Sequence, residues 1–301
     1  MALEKNQQDY RSDPGRHILG KPIVYLIGIW GIGYLPKWFS YWFARRIADI
    51  SYLIYKKARQ NVKKNLYKAF PDLSKKDLSI LAIETFRNYS IYLVDYGRFK
   101  SIKKDLLTDI IPSYEGKENL EWALERGKGL IILTGHIGNW ELGGIFFGKQ
   151  GLKINVVTFV DETNGIDEIR EKYRKGHNIN TVVLGDSPFA AIELLNALKR
   201  NEVVAMLVDR YKDDIGNTIE IEFFGRTLHF PAGPLILAKM TGATILTGFV
   251  VKDRKAYHAI IGKPITVKED DPMEDQAKRI IFEFEDCIRR YPDQWYNFVE
   301  I

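Results

Sequence analysis

The pattern of apolar and polar positions changes at Pro112. Beyond it come short apolar runs, several of them β-branched and bounded by Gly, Asn or Asp, which is the pattern of buried strands. Strands are predicted at 130–134, 154–159, 181–184, 203–208, 219–224, 244–251 and 257–261. Helices are predicted at 116–126, 140–148, 165–175, 187–199, 232–241 and 273–291. This alternation predicts an α/β domain over residues 111–301, with a mostly parallel sheet flanked by helices.

Residues 1–110 carry helical patterns instead, and they begin with an apolar segment after a polar tail. Residues 22–36 contain no charged side chain, and aromatic residues continue to Trp42. The segment is shorter than the roughly 20 residues that span a bilayer, but Trp and Tyr favour the membrane interface. Three interpretations stay open: a buried helix, a helix lying in the interface, and a tilted transmembrane anchor.

The charge of the chain is unevenly distributed. Residues 1–110 hold 20 Lys and Arg against 10 Asp and Glu, whereas residues 111–301 hold 24 against 29. Six basic residues lie within thirteen positions: Lys56, Lys57, Arg59, Lys63, Lys64 and Lys68. They fit a solvated helix face or a surface for anionic lipid, nucleic acid or an acidic protein, and their place after the apolar segment favours lipid. A further helix is predicted at 74–99, with Ser74 as its N-cap.

The composition argues against several kinds of site. Cys287 is the only cysteine, which excludes a disulfide within the chain and indicates a cytosol-facing protein. No HExxH motif or comparable ligand spacing is present, so no metal ion is expected. No Gly-x-Ser-x-Gly elbow supports a serine hydrolase.

Candidate chemistry lies at the end of the first predicted strand, in GLIILTGHIGNWELGG over residues 129–144. Ligands of open α/β sheets bind beyond the carboxyl ends of the strands, where His136 stands. Glu141 follows in the first turn of the next helix. A carboxylate that accepts from one ring nitrogen leaves the other free to take a proton from a hydroxyl. Amides at the helix start are candidates for stabilising an oxyanion. The same spacing also fits a structural histidine beside a helix-capping glutamate.

The block GHIGNWE resembles the His-x4-Glu motif of the late lipid A acyltransferases. These are lauroyl and myristoyl transferases within the wider lysophospholipid acyltransferase superfamily, and Asn139 and Trp140 also match that branch. NEVVAMLVDRY is similar to the family's strand that ends in Asp, here Asp209. FFGRTLHFPAGPLILAKMTGA and YPDQWYNF are similar to its later blocks. The resemblance covers most of the chain and implies a glycerol-phosphate-acyltransferase-like fold with N-terminal membrane-associated helices.

The resemblance also implies the residues that act. His136 and Glu141 would be catalytic, and the substrate-binding candidates are Asn139, Arg170, Arg174, Asp209, Arg210 and Arg226. The family has an Arg about 35 residues after its His, and the choice between Arg170 and Arg174 stays open, with Arg170 slightly favoured. Arg210 departs from the family, which usually has a polar residue there.

The implied function is transfer of a fatty acyl chain from acyl carrier protein or coenzyme A to a hydroxyl of a lipid A precursor or a related glycolipid. The thioester is a co-substrate, and no cofactor or nucleic acid is expected. The expected place is the cytosolic face of the inner membrane, in contact with membrane lipids. Arg210 and the absence of a basic C-terminal tail leave room for another acceptor, such as a phosphatidylinositol mannoside or a phospholipid. A non-catalytic peripheral membrane protein is the remaining alternative.

Overall fold

The computed structural model describes residues 35–98, 107–159, 171, 174–184, 189–210, 217–253 and 256–301. These residues belong to two compact units. The first comprises 35–98 and 288–301, and the second comprises the described residues between 107 and 287. Most of the apolar segment 22–36 and of the helix predicted at 165–175 lies outside the described residues. The division predicted between residues 110 and 111 stays a prediction.

The described residues of the first unit form three helices, α1 (Lys37–Ile54), α2 (Lys56–Ala69) and α3 (Lys75–Arg98), and a 3₁₀ turn (Pro292–Gln294) near the end of the chain. Small residues at four-residue spacing on α1 (Ser40, Ala44 and Ala48) are buried, which allows close packing. Ser74 caps α3 as predicted, because its Oγ accepts a hydrogen bond of 3.1 Å from the Asp77 N–H.

The end of the chain is held by α2. Asn61 Nδ2 donates to the Phe298 carbonyl at 3.0 Å, and Asn65 Nδ2 donates to the Asn297 and Val299 carbonyls at 3.1 and 2.7 Å. Both asparagines are buried, so their amides satisfy main-chain carbonyls that lie away from water. The first unit therefore joins residues that are more than 230 positions apart.

Helix α1 presents large apolar side chains to solvent. Trp38 is 72% exposed and Leu53 is 71% exposed. The exposed apolar set comprises Leu35, Trp38, Trp42, Phe43, Ile50, Leu53 and Ile54. The six members that lie within α1 follow one another at intervals of one, three, four or seven residues, so they share one side of the helix. In the described part of the chain, no helix combines the length and the apolarity that a bilayer span requires.

Described helices of the second unit are α4 (Leu107–Ile110), α5 (Lys117–Glu125), α6 (Trp140–Lys149), α7 (Ala190–Lys199), α8 (Gly233–Thr241) and α9 (Met273–Arg290), whose last three residues are counted in the first unit. Its strands are β1 (Ser113–Glu115), β2 (Leu130–Thr134), β3 (Ile154–Phe159), β4 (Ile179–Leu184), β5 (Val203–Leu207), β6 (Thr218–Phe223), β7 (Arg226–Pro231), β8 (Thr244–Asp253), β9 (Ala256–Ile261) and β10 (Ile265–Thr266).

Eight of these described strands form one mixed sheet in the order β1-β9-β8-β2-β5-β3-β4, with β10 also paired to β8. The strands β2, β3, β4, β5 and β8 are parallel, whereas β9 and β10 run antiparallel to β8. The central strand β2 is buried along its whole length, as expected for a strand covered on both faces. The predicted α/β class with a mostly parallel sheet is confirmed.

Strands β1, β7 and β10 are absent from the prediction. Strands β1 and β10 have three and two residues, and β7 mixes Arg, Thr and His with apolar residues, so none carries a clear apolar run. Strand β6 ends at Phe223 because Phe224 and Gly225 have φ angles of 48° and 72° and form the turn to β7.

Candidate active site

The backbone after β2 and β5 brings His136 and Asp209 together. The two strands are parallel neighbours, and Thr134 pairs with Leu207 in their register. His136 follows Thr134 by two residues, and Asp209 follows Leu207 by two residues, so both lie at the carboxyl edge of the sheet. Gly135 is required between them, since an added Cβ would lie 2.9 Å from Asp209 Cγ and 3.0 Å from Phe284 Cε1.

The Asp209 carboxylate holds His136 through two hydrogen bonds. Its Oδ1 lies 2.8 Å from the ring Nδ1, and its Oδ2 accepts from the His136 main-chain N–H at 2.8 Å. The Asp209 side chain is 0% exposed, whereas that of His136 is 20% exposed. With an ionised carboxylate, Nδ1 carries the proton and donates it, so the neutral ring has its lone pair on Nε2.

The charge state of Asp209 follows from its surroundings. Burial acts to raise its pKa, because a charge in a poorly solvated place is disfavoured. The charge of His136, the hydrogen bonds from its ring and backbone, and the charge of Arg210 outweigh burial and hold the pKa of Asp209 below its ordinary value. The carboxylate is therefore ionised at neutral pH.

The structure corrects the predicted pairing of His136 with Glu141, because Asp209 occupies Nδ1. Glu141 instead accepts two hydrogen bonds from Arg174, at 2.5 Å from Nη2 to Oε1 and 3.3 Å from Nε to Oε2. Both side chains are buried. The first turn of α6 directs the Glu141 carboxylate to the segment before β4, where Arg174 lies. The catalytic role of Glu141 stays a prediction.

The remaining predicted residues have different surroundings. Asn139 is buried and caps α6, since its Oδ1 accepts from the Leu142 N–H at 3.0 Å and its Nδ2 lies 3.3 Å from the Tyr257 hydroxyl. Arg210 is partly buried beside Asp209, and Arg226 is exposed on the hairpin of β6 and β7. Arg170 lies outside the described residues. Substrate binding by these residues stays a prediction.

An apolar cavity lies between α6 and the central strands. It contains about 660 Å³ of unfilled space, part of which is open solvent. Its wall is formed mainly by aliphatic side chains of the sheet, by Phe147 and Trp140 of α6, and by the polar residues Thr134, Glu141 and Arg174. The Trp140 ring also packs at 66° on the His136 ring, with centroids 5.2 Å apart. Trp140 thus connects the cavity wall to the histidine.

Two glycines of α6 give the cavity its room, and the sequence carried a signal for them. Gly143 and Gly144 line the cavity, and an added Cβ would come within 3.2 Å of Val250 Cγ2 and Ile179 Cδ1, respectively. Glycine inside a helix costs about 0.5–1 kcal/mol relative to alanine, so a pair of them indicates a reason beyond the helix itself. The residues that the sequence reading missed are these glycines and Thr134.

Metal binding finds no support in the described ranges. No group of three or more His, Cys, Asp or Glu side chains there is placed to hold a metal ion. What the site offers is a histidine with a buried carboxylate at its Nδ1, next to an apolar space.

The sequence matches one known family over most of its length. The profile of a family described as bacterial lipid A biosynthesis acyltransferase matches residues 16–300. The chain belongs to the bacterial lipid A biosynthesis acyltransferase family. The resemblance inferred from GHIGNWE is thereby confirmed.

Individual relatives of this lipid A acyltransferase family member fall into two groups. A lipid A biosynthesis palmitoleoyltransferase of Escherichia coli K12 is 24% identical over 283 residues, which cover 90% of this chain and 89% of that protein. A phosphatidylinositol mannoside acyltransferase of Mycobacterium tuberculosis H37Rv is 28% identical over 133 residues, or 44% of this chain and 41% of that protein. One from Mycolicibacterium smegmatis is 25% identical over 129 residues, or 42% of each. The matches to the mycobacterial proteins thus span less than half of either chain.

Proposed function

We propose that this protein transfers a fatty acyl chain from a thioester to a hydroxyl group of a glycolipid. One observation carries the proposal: a histidine whose Nδ1 is held by a buried carboxylate lies against the wall of an apolar cavity. A base with its lone pair on Nε2 suits deprotonation of an alcohol. An apolar cavity suits a hydrocarbon chain, since each buried methylene contributes about 0.8 kcal/mol.

The reaction proceeds by direct attack. His136 Nε2 takes the proton of the acceptor hydroxyl, and the oxygen attacks the thioester carbonyl carbon. The ring becomes a cation, which the Asp209 carboxylate stabilises through Nδ1. When the tetrahedral intermediate collapses, the carbon–sulfur bond breaks, the sulfur receives the proton from Nε2, and the thiol leaves. The products are an ester and a free thiol, and the enzyme returns to its starting state.

The Glu141–Arg174 pair has a supporting part in this proposal. Both groups belong to the cavity wall, and their mutual hydrogen bonds satisfy charges that burial would otherwise penalise. The pair joins α6 to the segment before β4, so it fixes the helix that carries Trp140. Glu141 then acts by keeping the wall in place around the acyl chain.

A lipid A precursor is the proposed acceptor. The relative named lipid A biosynthesis palmitoleoyltransferase aligns with 90% of the chain, and this extent supports that acceptor class. The phosphate groups of this acceptor would bind to the guanidinium groups of Arg210 and Arg226. A phosphatidylinositol mannoside is the second candidate, because the mycobacterial relatives have the higher identity over a shorter segment.

The proposed place of action is the cytosolic face of the inner membrane. The exposed apolar face of α1 supports this, since aromatic and aliphatic side chains bury their area in the lipid interface. The basic residues of α2 contribute less than their number indicates. Arg59, Lys63 and Lys64 donate hydrogen bonds to Tyr52, Ser79 and Glu300, whereas Lys56 is an exposed side chain suited to anionic lipid.

The carrier of the acyl group is acyl carrier protein or coenzyme A. Both are anionic, and the surplus of Lys and Arg in residues 1–110 would favour their encounter with the protein. No cofactor is required, because the thioester supplies the activated carbonyl.

The test is release of free thiol by the full chain in vesicles, followed by mass spectrometry of the lipid product. Donors are acyl carrier protein and coenzyme A thioesters, and acceptors are a lipid A precursor and a phosphatidylinositol mannoside. His136→Ala should abolish release but keep vesicle binding, and His229→Ala on the hairpin is the matched control. Equal turnover by His136→Ala and the unaltered protein would exclude the proposed base. Vesicle binding without release from any donor would favour the non-catalytic alternative.

A further inference from the structure

Thr134 has a hydroxyl group without a hydrogen-bond partner in the described part of the chain. It is the last residue of β2, two positions before His136, and it lines the apolar cavity. Its main-chain carbonyl accepts from the Val208 N–H at 3.0 Å. Its Oγ1 is buried, yet no residue in the described ranges forms a hydrogen bond with it. Buried hydroxyl groups in folded proteins nearly always have a partner, because an unpaired one destabilises the fold.

The residues around Thr134 make this hydroxyl conspicuous. The preceding residues of β2 are Leu130, Ile131, Ile132 and Leu133, and valine would fill the same space without an unmet donor. The charged groups of the cavity wall, Glu141 and Arg174, bind each other. Thr247 on the neighbouring strand β8 offers the opposite case, since its hydroxyl donates to the Glu283 carboxylate. One buried threonine thus has a protein partner, and the other faces the cavity without one.

The chemistry of an acyl thioester limits what this hydroxyl could bind. The hydrocarbon chain has no hydrogen-bond acceptor, whereas the thioester carbonyl oxygen is one. The carbonyl carbon has to lie where the hydroxyl deprotonated by His136 can attack it, which places the polar end of the donor at the His136 end of the cavity. Thr134 stands at that end of β2.

We propose that Thr134 Oγ–H donates a hydrogen bond to the thioester carbonyl oxygen and stabilises the oxyanion that forms there. The inference rests on the proposed acyl transfer. As the acceptor oxygen attacks, the π electrons of the carbonyl move to its oxygen, and they return when the carbon–sulfur bond breaks. Thr134 keeps its proton throughout. The bond strengthens as charge develops, so it lowers the barrier more than it tightens binding.

The experiment compares Thr134→Val with Thr134→Ser and with the control Thr247→Val, all in the full chain. Removal of one oxyanion donor lowers kcat about 100-fold or more in other enzymes. Thr134→Val should show a fall of this size, with the KM for the acyl donor within about threefold, and Thr134→Ser should recover most of the rate. Thr134→Val should melt at the same temperature as the unaltered protein or higher, because the lost hydroxyl has no partner in the free protein. Thr247→Val should melt lower and keep its kcat.

The outcomes separate the inference from the function on which it rests. If the unaltered protein releases thiol and Thr134→Val does so within about twofold, the inference is overturned and the acyl transfer stands. A lower melting temperature of Thr134→Val would also overturn it, since the hydroxyl would then have a partner within the protein. If the unaltered protein releases no thiol from either donor, the proposed function fails, and the inference fails with it.

Discussion

The Asp209 carboxylate makes two contacts with His136 that an amide cannot both reproduce. Its Oδ2 accepts from the main-chain N–H of His136, which is a fixed donor. In Asp209→Asn the single amide oxygen has to face that N–H, so the amide nitrogen faces the ring. The ring then accepts at Nδ1 and carries its proton on Nε2, which is the tautomer that cannot take a proton from the acceptor hydroxyl.

The size of the effect follows from the lost charge as well. In the unaltered protein the imidazolium cation lies beside a carboxylate, with 2.8 Å between Nδ1 and Oδ1. Two unit charges whose centres are about 4 Å apart attract each other by about 4 kcal/mol at an effective dielectric constant near 20. That is about three powers of ten in rate. With the wrong tautomer added, the expected fall in kcat is about 10³–10⁴-fold.

The assay is single-turnover thiol release with the enzyme in excess over the donor, which separates the chemical step from product release. Asp253→Asn is the matched control, because Asp253 is exposed at the end of β8, and its rate should be unchanged. Circular dichroism checks that both variants are folded. A rate for Asp209→Asn within tenfold of the unaltered protein would refute the role given to this carboxylate.

Three further predictions concern other parts of the molecule. Glu141→Gln removes the carboxylate that pairs with the buried Arg174 and should lower the free energy of unfolding in urea by about 3–5 kcal/mol, and a loss below about 1 kcal/mol would contradict the pairing. Burial acts to raise the pKa of Glu202, but hydrogen bonds, from Arg200 first, lower it from 4.5 to about 2. The depressed pKa stabilises the fold above pH 4.5, and this stabilisation is lost as the pH falls toward 2, so acid unfolding of Glu202→Gln should show a flatter pH dependence there. Trp38→Ser should weaken binding to anionic vesicles about 30-fold through about 2 kcal/mol of lost burial, whereas Trp122→Ser should bind like the unaltered protein.

The sequence was most informative in residues 129–144, where one segment contains both strand β2 and the candidate catalytic residue His136. Strand β2 and helix α6 were predicted within one residue of their observed ends, and His136 was placed at the carboxyl edge of the sheet. This worked because apolar periodicity and the Gly135 break are local features. The hydrogen-bond partner of His136 is 73 positions away in the sequence. Asp209 follows β5, and β5 lies next to β2 only because of the strand order in the sheet.

The error at Glu141 has a physical origin in helix geometry. Glu141 is the acidic residue nearest to His136 in the sequence, five positions after it. The direction of a side chain in the first turn of a helix, however, depends on how that turn packs. The glycines of α6 seat the helix on the sheet, and Glu141 meets Arg174, which is 33 positions away. The packing of residues 288–301 against α2 was likewise hidden, because two asparagine side chains decide it rather than any apolar pattern.

The delivery of His136 and Asp209 by adjacent strands has a consequence for how the enzyme tolerates heat. Neighbouring strands keep a separation of about 4.8 Å through their ladder of main-chain hydrogen bonds. The distance between His136 and Asp209 is therefore set by the middle of the sheet. Fraying at β1 or β4 leaves the pair assembled, so catalytic activity should persist until the whole second unit melts in one transition.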